Sequence, residues 1–92
     1  MQNNKIIYLI TTKGCEACHI MRDIMLAVLD ELNNGNLVIR DVSDIPMFIK
    51  KNVPLNDFPT LVLVKNKVIK YHASGTMSKD KVKTILSEIG FR

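Results

Sequence analysis

Five consecutive apolar side chains open the chain's hydrophobic pattern: Ile6, Ile7, Tyr8, Leu9 and Ile10. An unbroken run of this kind predicts a strand buried on both faces. Thr11, Thr12, Lys13 and Gly14 interrupt it. From Cys18 the apolar positions fall at Met21, Met25, Val28, Leu29 and Leu32, the spacing of three and four that marks one face of a helix. Asn33, Asn34 and Gly35 stop that helix, because Asn and Gly accept the left-handed conformation of a C-terminal cap. A second strand is predicted from Leu37 to Val42. Ser43 or Asp44 is then placed to cap a short helix with Pro46 near its start, running through Phe48 and Ile49.

The turn-rich stretch "NVPLNDFP" breaks the pattern before a third strand, Thr60 to Val64. Lys65-Asn66-Lys67 predicts a hairpin turn into a fourth strand, Val68 to His72. Gly75 breaks that strand and Ser78 caps a last amphipathic helix marked by Val82, Ile85, Leu86 and Ile89. Gly90 ends it. The order β-α-β-α-β-β-α predicts an α/β fold, a four-stranded mixed sheet with helices on both faces. Residues 1–92 are expected to form a single domain, since 92 residues leave no room for a second core.

Composition narrows the partners. The hydrophobic content of 47% supports a packed core. The net charge is +4, but the lysines are interrupted by apolar residues and the chain has only two tyrosines, three phenylalanines and no tryptophan. A nucleic-acid face would want aromatics among the basic residues, so no nucleic-acid partner is expected. No apolar run approaches the roughly 18 residues that span a bilayer, so no membrane association is expected. The first residues show no signal peptide. The expected location is the cytoplasm.

The chemistry lies in "KGCEACHIM", residues 13 to 21, at the turn from the first strand into the first helix. A CxxC followed by His is used in zinc sites, copper-chaperone loops, haem attachment and dithiol electron transfer. Structural zinc needs four ligands, and beyond Cys15, Cys18 and His19 only His72 offers a fourth. His19 follows Cys18 directly, so its ring is expected to point away from both thiols, into solvent. "CEACH" satisfies the CxxCH haem pattern, but the strand-rich order and the lack of an axial-ligand segment oppose it. Copper chaperones place CxxC at the same kind of turn. Their order ends in a strand, and a methionine stands two residues before the first cysteine. This chain ends in a helix and has Lys13 at that position.

A helix start favours a thiolate, because it carries about half a positive charge and unpaired N–H donors. A thiol there falls below its free pKa of about 8.5. Cys15, at the mouth of the helix, is expected to be exposed. Cys18, on the face that continues through Met21 and Met25, is expected to be covered. This asymmetry suits disulfide exchange, with attack by Cys15 and resolution by Cys18. Lys13 would add a favourable charge, whereas Glu16 opposes the thiolate and yet suits the helix dipole.

A second signature follows about forty residues later: "DFPT", residues 57 to 60, with Pro59 directly before a central strand. A proline cannot donate to a ladder, and a cis bond in a tight turn resolves the difficulty. With the CxxC, "FPTLVLVKN", the hairpin, the glycine and the final helix, the chain resembles the thioredoxin-like superfamily from Ile6 to Ile89. The resemblance implies that Cys15 is the nucleophile, Cys18 the resolving thiol and Pro59 a cis proline. It also implies that the backbone of Phe58 pairs with an incoming peptide; Phe58, Pro59 and Lys13 are the expected substrate-binding residues.

Departures are visible. Thioredoxins have Trp before the first cysteine and Gly-Pro between the pair, where this chain has Gly14 and Glu16-Ala17. The buried aspartate that assists their resolving thiol corresponds to Leu9. Glutaredoxins usually carry an aromatic between the cysteines and Gly-Gly before the final helix, where this chain has Ala17 and Gly75. The expectation is a monomeric thiol–disulfide oxidoreductase acting on disulfide-bearing proteins, without cofactor or metal. Its electrons would come from a disulfide reductase or from glutathione. The alternatives are a glutaredoxin-like glutathione-dependent reductase and a CxxC metal-carrier module.

Overall fold

The structure, a computed structural model, describes residues 4–33 and 36–91. Seven elements follow in order: β1 (Lys5–Thr11), α1 (Glu16–Glu31), β2 (Leu37–Asp41), α2 (Met47–Asn52), β3 (Thr60–Lys65), β4 (Val68–Ser74) and α3 (Lys79–Ile89). They are the elements expected from the hydrophobic pattern. Asn34 and Gly35 of the anticipated helix stop lie outside the described residues, while Asn33 takes the left-handed conformation at φ 55°.

One sheet holds the four strands in the order β2-β1-β3-β4. β1 runs parallel to β2 and antiparallel to β3, and β4 runs antiparallel to β3. Because side chains alternate along a strand, the two inner strands feed two cores. Ile7 and Leu9 of β1 and Leu61 and Leu63 of β3 pack with Met21, Met25 and Val28 of α1 and with Val82 and Leu86 of α3. Ile10, Val62 and Val64 face the other side, where they meet Ile49 of α2 and Val53. The helices therefore cover both faces. Thr60 through Val64 are all buried, as a central strand requires, whereas β4 alternates between exposed and half-buried positions, as an edge strand does.

Local chemistry sets the ends of the elements. The Ser78 side chain accepts the Lys81 N–H at the start of α3. Gly90 closes that helix at φ 84°, and the N–H of buried Phe91 returns to the Leu86 carbonyl at 2.7 Å. Asn66 and Lys67 both take positive φ, 53° and 64°, the pair of left-handed residues that matches the twist of a two-residue hairpin.

The start of α2 departs from expectation. Neither Ser43 nor Asp44 caps it; Pro46 is the N-cap residue and makes no side-chain cap. The Asp41 carboxylate instead accepts the Ser43 N–H at 2.9 Å and hydroxyl at 2.6 Å, and the Asp44 N–H bonds to the Asp41 carbonyl. Both residues are committed to the turn that leaves β2, so the helix begins later.

Candidate active site

The register brings three loops to one end of the sheet. Ile10 pairs with Thr60, Thr11 with Asp41, and Thr60 with Ser74. The loop after β1, the loop after β2 and the loop before β3 therefore emerge together, and with them the cysteines and Pro59.

Gly14 makes the turn from β1 into α1 at φ 72°, a region open to glycine at no steric cost. Cys15 follows as the N-cap residue of α1, and its sulfur accepts the backbone N–H of Cys18 at 3.1 Å. A sulfur thus occupies the place that Ser, Thr, Asp or Asn usually fills. Cys15 and Cys18 are joined by a disulfide with their Cα atoms 5.2 Å apart. Cys18 is covered, at 5% exposure. Cys15 is half-buried rather than exposed, because it sits in the cap and is bonded to its covered partner. Glu16 occupies the first turn of the helix.

The loop before β3 is tied at several points. The Phe58–Pro59 peptide bond is cis. The buried Thr60 hydroxyl donates to the Asp57 carbonyl at 2.7 Å and lies 3.3 Å from the Ser74 hydroxyl. The Gly75 N–H donates to the Pro59 carbonyl at 2.8 Å. Phe58 is half-buried and packs against the α2-side core. Among the described residues its backbone N–H and carbonyl make no hydrogen bond.

Lys13 is exposed, and its charge acts on Asp41. That carboxyl is held below its ordinary pKa chiefly by the Ser43 hydroxyl and N–H, with a smaller contribution from Lys13. Asp41 is therefore engaged in the turn after β2. Leu9 is fully buried in the core between the sheet and α1, opposite Ile39 in the register.

A cleft of about 120 Å³ opens beside the disulfide, lined by Thr11, Thr12, Cys15, Cys18, His19, Arg22 and Ile39. His19 is exposed, as expected, and it lines this cleft together with both cysteines. The helix flank carrying His19 and Arg22 is turned toward the ends of β1 and β2. The i, i+4 spacing of Cys18 and Arg22 was the available signal; the two threonines and Ile39 join only through the sheet. A larger cavity of about 610 Å³, lined by residues including Asn4, Asn66 and Lys67, lies at the hairpin end of the sheet. Among the described residues its lining includes no thiol, carboxylate or imidazole. Among the described residues no three His, Cys, Asp or Glu side chains gather as a metal ion would require.

Neither family models nor curated protein sequences match the chain. Solved structures do. Thioredoxin-2 of a malaria parasite, described as a component of its protein secretion machinery, superposes with a TM-score of 0.78 over 96% of this chain and 85% of its own. The chain has the thioredoxin fold. Two further thioredoxins match it at similar levels. Mitochondrial thioredoxin 3 of Saccharomyces cerevisiae, in its oxidised form, has a TM-score of 0.75 over 95% of this chain and 80% of its own. Thioredoxin f2 of Chlamydomonas reinhardtii has a TM-score of 0.77 over 100% and 84%. Identities are 20%, 20% and 15% respectively, so the likeness to these thioredoxins is one of fold.

Proposed function

We propose that this thioredoxin-like chain is a thiol–disulfide oxidoreductase that reduces disulfides in proteins. The supporting observation is the cysteine pair bonded across the first turn of α1, one sulfur capping the helix and the other covered. In the reduced form the helix dipole and the Cys18 N–H favour a thiolate on Cys15. That thiolate attacks one sulfur of a substrate disulfide, and the other substrate sulfur leaves as a thiolate. Cys18 then attacks Cys15, which regenerates the internal disulfide and releases the second substrate thiol. A disulfide reductase or glutathione returns the electrons.

Phe58 supplies the peptide contact. Its unpaired backbone groups are suited to bonding an extended substrate strand, and the tied loop holds them in place. Lys13 would meet the substrate from the other side of Cys15. The protein works as a single-domain monomer in the cytoplasm, without metal or cofactor.

Reduction of insulin disulfides, coupled either to a thioredoxin reductase or to glutathione and its reductase, tests the reading and identifies the electron donor. Cys15→Ser is expected to abolish activity, and Cys18→Ser to accumulate a mixed disulfide through Cys15. A pair with a potential near −270 mV acts as a reductant, and one near −120 mV as an oxidant. No turnover with either donor, or substrate trapped equally well by Cys15→Ser, refutes the proposal.

A further inference from the structure

Resolution requires Cys18 to lose a proton, and burial opposes this because it disfavours the charged form of a thiol. Cys18 is 5% exposed. The strand position behind it supplies no acid, since Leu9 is fully buried among apolar side chains and Ile39 stands opposite. On α1 the exposed Asp23 carboxylate lies 3.9 Å from the Arg22 guanidinium. Glu16 is exposed in the first turn of α1, and Lys13 is exposed in the loop after β1. Asp41, at the end of β2, has its carboxylate bonded to Ser43. Asp57 is exposed in the loop before β3, which lies on the side of β1 away from β2.

None of these carboxylates lines the cleft beside the disulfide. Among the described residues its only titratable groups besides the cysteines are His19 and Arg22, and a guanidinium offers no acceptor for a proton. Imidazole is the side chain that exchanges a proton between about pH 5 and 8. His19 is also exposed, so a proton it takes can pass to solvent.

We propose that His19 is the proton acceptor for Cys18 during resolution of the mixed disulfide. The inference rests on the oxidoreductase reading and adds a residue to it. The Cys18 thiol passes its proton to a neutral His19 ring nitrogen. The resulting thiolate attacks the Cys15 sulfur. The Cys15–Cys18 bond forms as the bond from Cys15 to the substrate sulfur breaks. The substrate leaves with that electron pair and is protonated by the imidazolium or by water. Two electrons pass from the dithiol to the substrate disulfide, and no further reactant is needed.

Stopped-flow reaction of the reduced protein with dithiobis(nitrobenzoate) separates the two thiols. Attack by Cys15 releases one thionitrobenzoate, and resolution by Cys18 releases the second. In His19→Asn the ratio of the second rate to the first is expected to fall roughly 10²-fold near pH 7. The loss should shrink toward pH 9, where hydroxide takes the proton, and added imidazole should restore part of the rate. An unchanged ratio and pH profile in His19→Asn overturns the assignment. Failure of the wider reading shows differently, as absence of insulin reduction in the unaltered protein while both releases persist.

Discussion

Leu9 and Ile39 face each other across β1 and β2, and Leu9 is fully buried in the core beneath α1. The position that the resemblance associates with a buried acid is here part of the apolar packing. Leu9→Ala should cost about 2–5 kcal/mol of stability, as a large-to-small change in a packed core does. Leu9→Asp should cost more at pH 7, because an unpaired carboxylate would be taken out of water. Burial raises the pKa of that carboxyl above its unfolded value near 3.9. The variant is therefore relatively most stable below about pH 4 and loses stability as pH rises through the folded pKa. Urea midpoints at pH 4 and pH 7 check this; equal deficits at both would show that the new carboxylate reaches water.

The cap on α1 separates the two thiols. In the reduced protein Cys15 should react first with a limiting alkylating agent near pH 7, because its sulfur accepts the Cys18 N–H at the positive end of the helix. Cys18 is covered and should react late. Peptide mapping after brief alkylation reads the order, and preferential labelling of Cys18 would reverse the assigned roles.

Thr60 links stability to the substrate docking proposed for the Phe58 loop. Its buried hydroxyl donates to the Asp57 carbonyl, one residue before Phe58. Thr60→Val should cost about 1 kcal/mol for the lost bond. Because it frees the loop that carries the Phe58 backbone, kcat/KM should fall more for a protein disulfide than for a small aromatic disulfide. Equal losses on both would mean that the loop does not bind the peptide.

Acid sensitivity should include a contribution from Glu31. Its carboxylate bonds Lys79 at 2.6 Å and also Lys83, joining the end of α1 to α3. These bonds lower its pKa from 4.5 to about 2. The stabilisation is present above the unfolded pKa and is lost as pH falls through the folded value. On the alkaline side the raised pKa of Lys79, due first to the Glu31 bond, preserves the pair until pH climbs above the usual lysine range. Glu31→Gln should lower the urea midpoint slightly at pH 7, with the difference closing between pH 4.5 and 2. The effect is small because the groups are solvated. A difference that persists at pH 2 would point to packing instead of charge.

Much of this architecture was legible because strong local signals agreed with the fold. The run from Ile6 to Ile10, the spacing from Met21 to Leu29, the Ser78 cap and Gly90 all describe elements that complete themselves over short stretches of chain. Other features depend on neighbours distant in sequence. β4 continues past His72 to Ser74 because Thr60 pairs with Ser74, a partner that hydrophobicity does not reveal. The start of α2 moved because Asp41 claimed Ser43. At the site, the cysteines and Pro59 were marked by their own spacing. The place of His19 beside the cysteines was hidden because one helix turn does not show which strands its flank meets; Thr11, Thr12 and Ile39 supply the rest of that cleft.

The sulfur at the head of α1 has a consequence for how electrons are stored. Reduction cleaves the Cys15–Cys18 bond and leaves an anion on the atom that already receives the Cys18 N–H. The new charge appears where the backbone is oriented to accept it, so both oxidation states can share one frame. For the proposed oxidoreductase, the helix start would then need no large rearrangement between the two states.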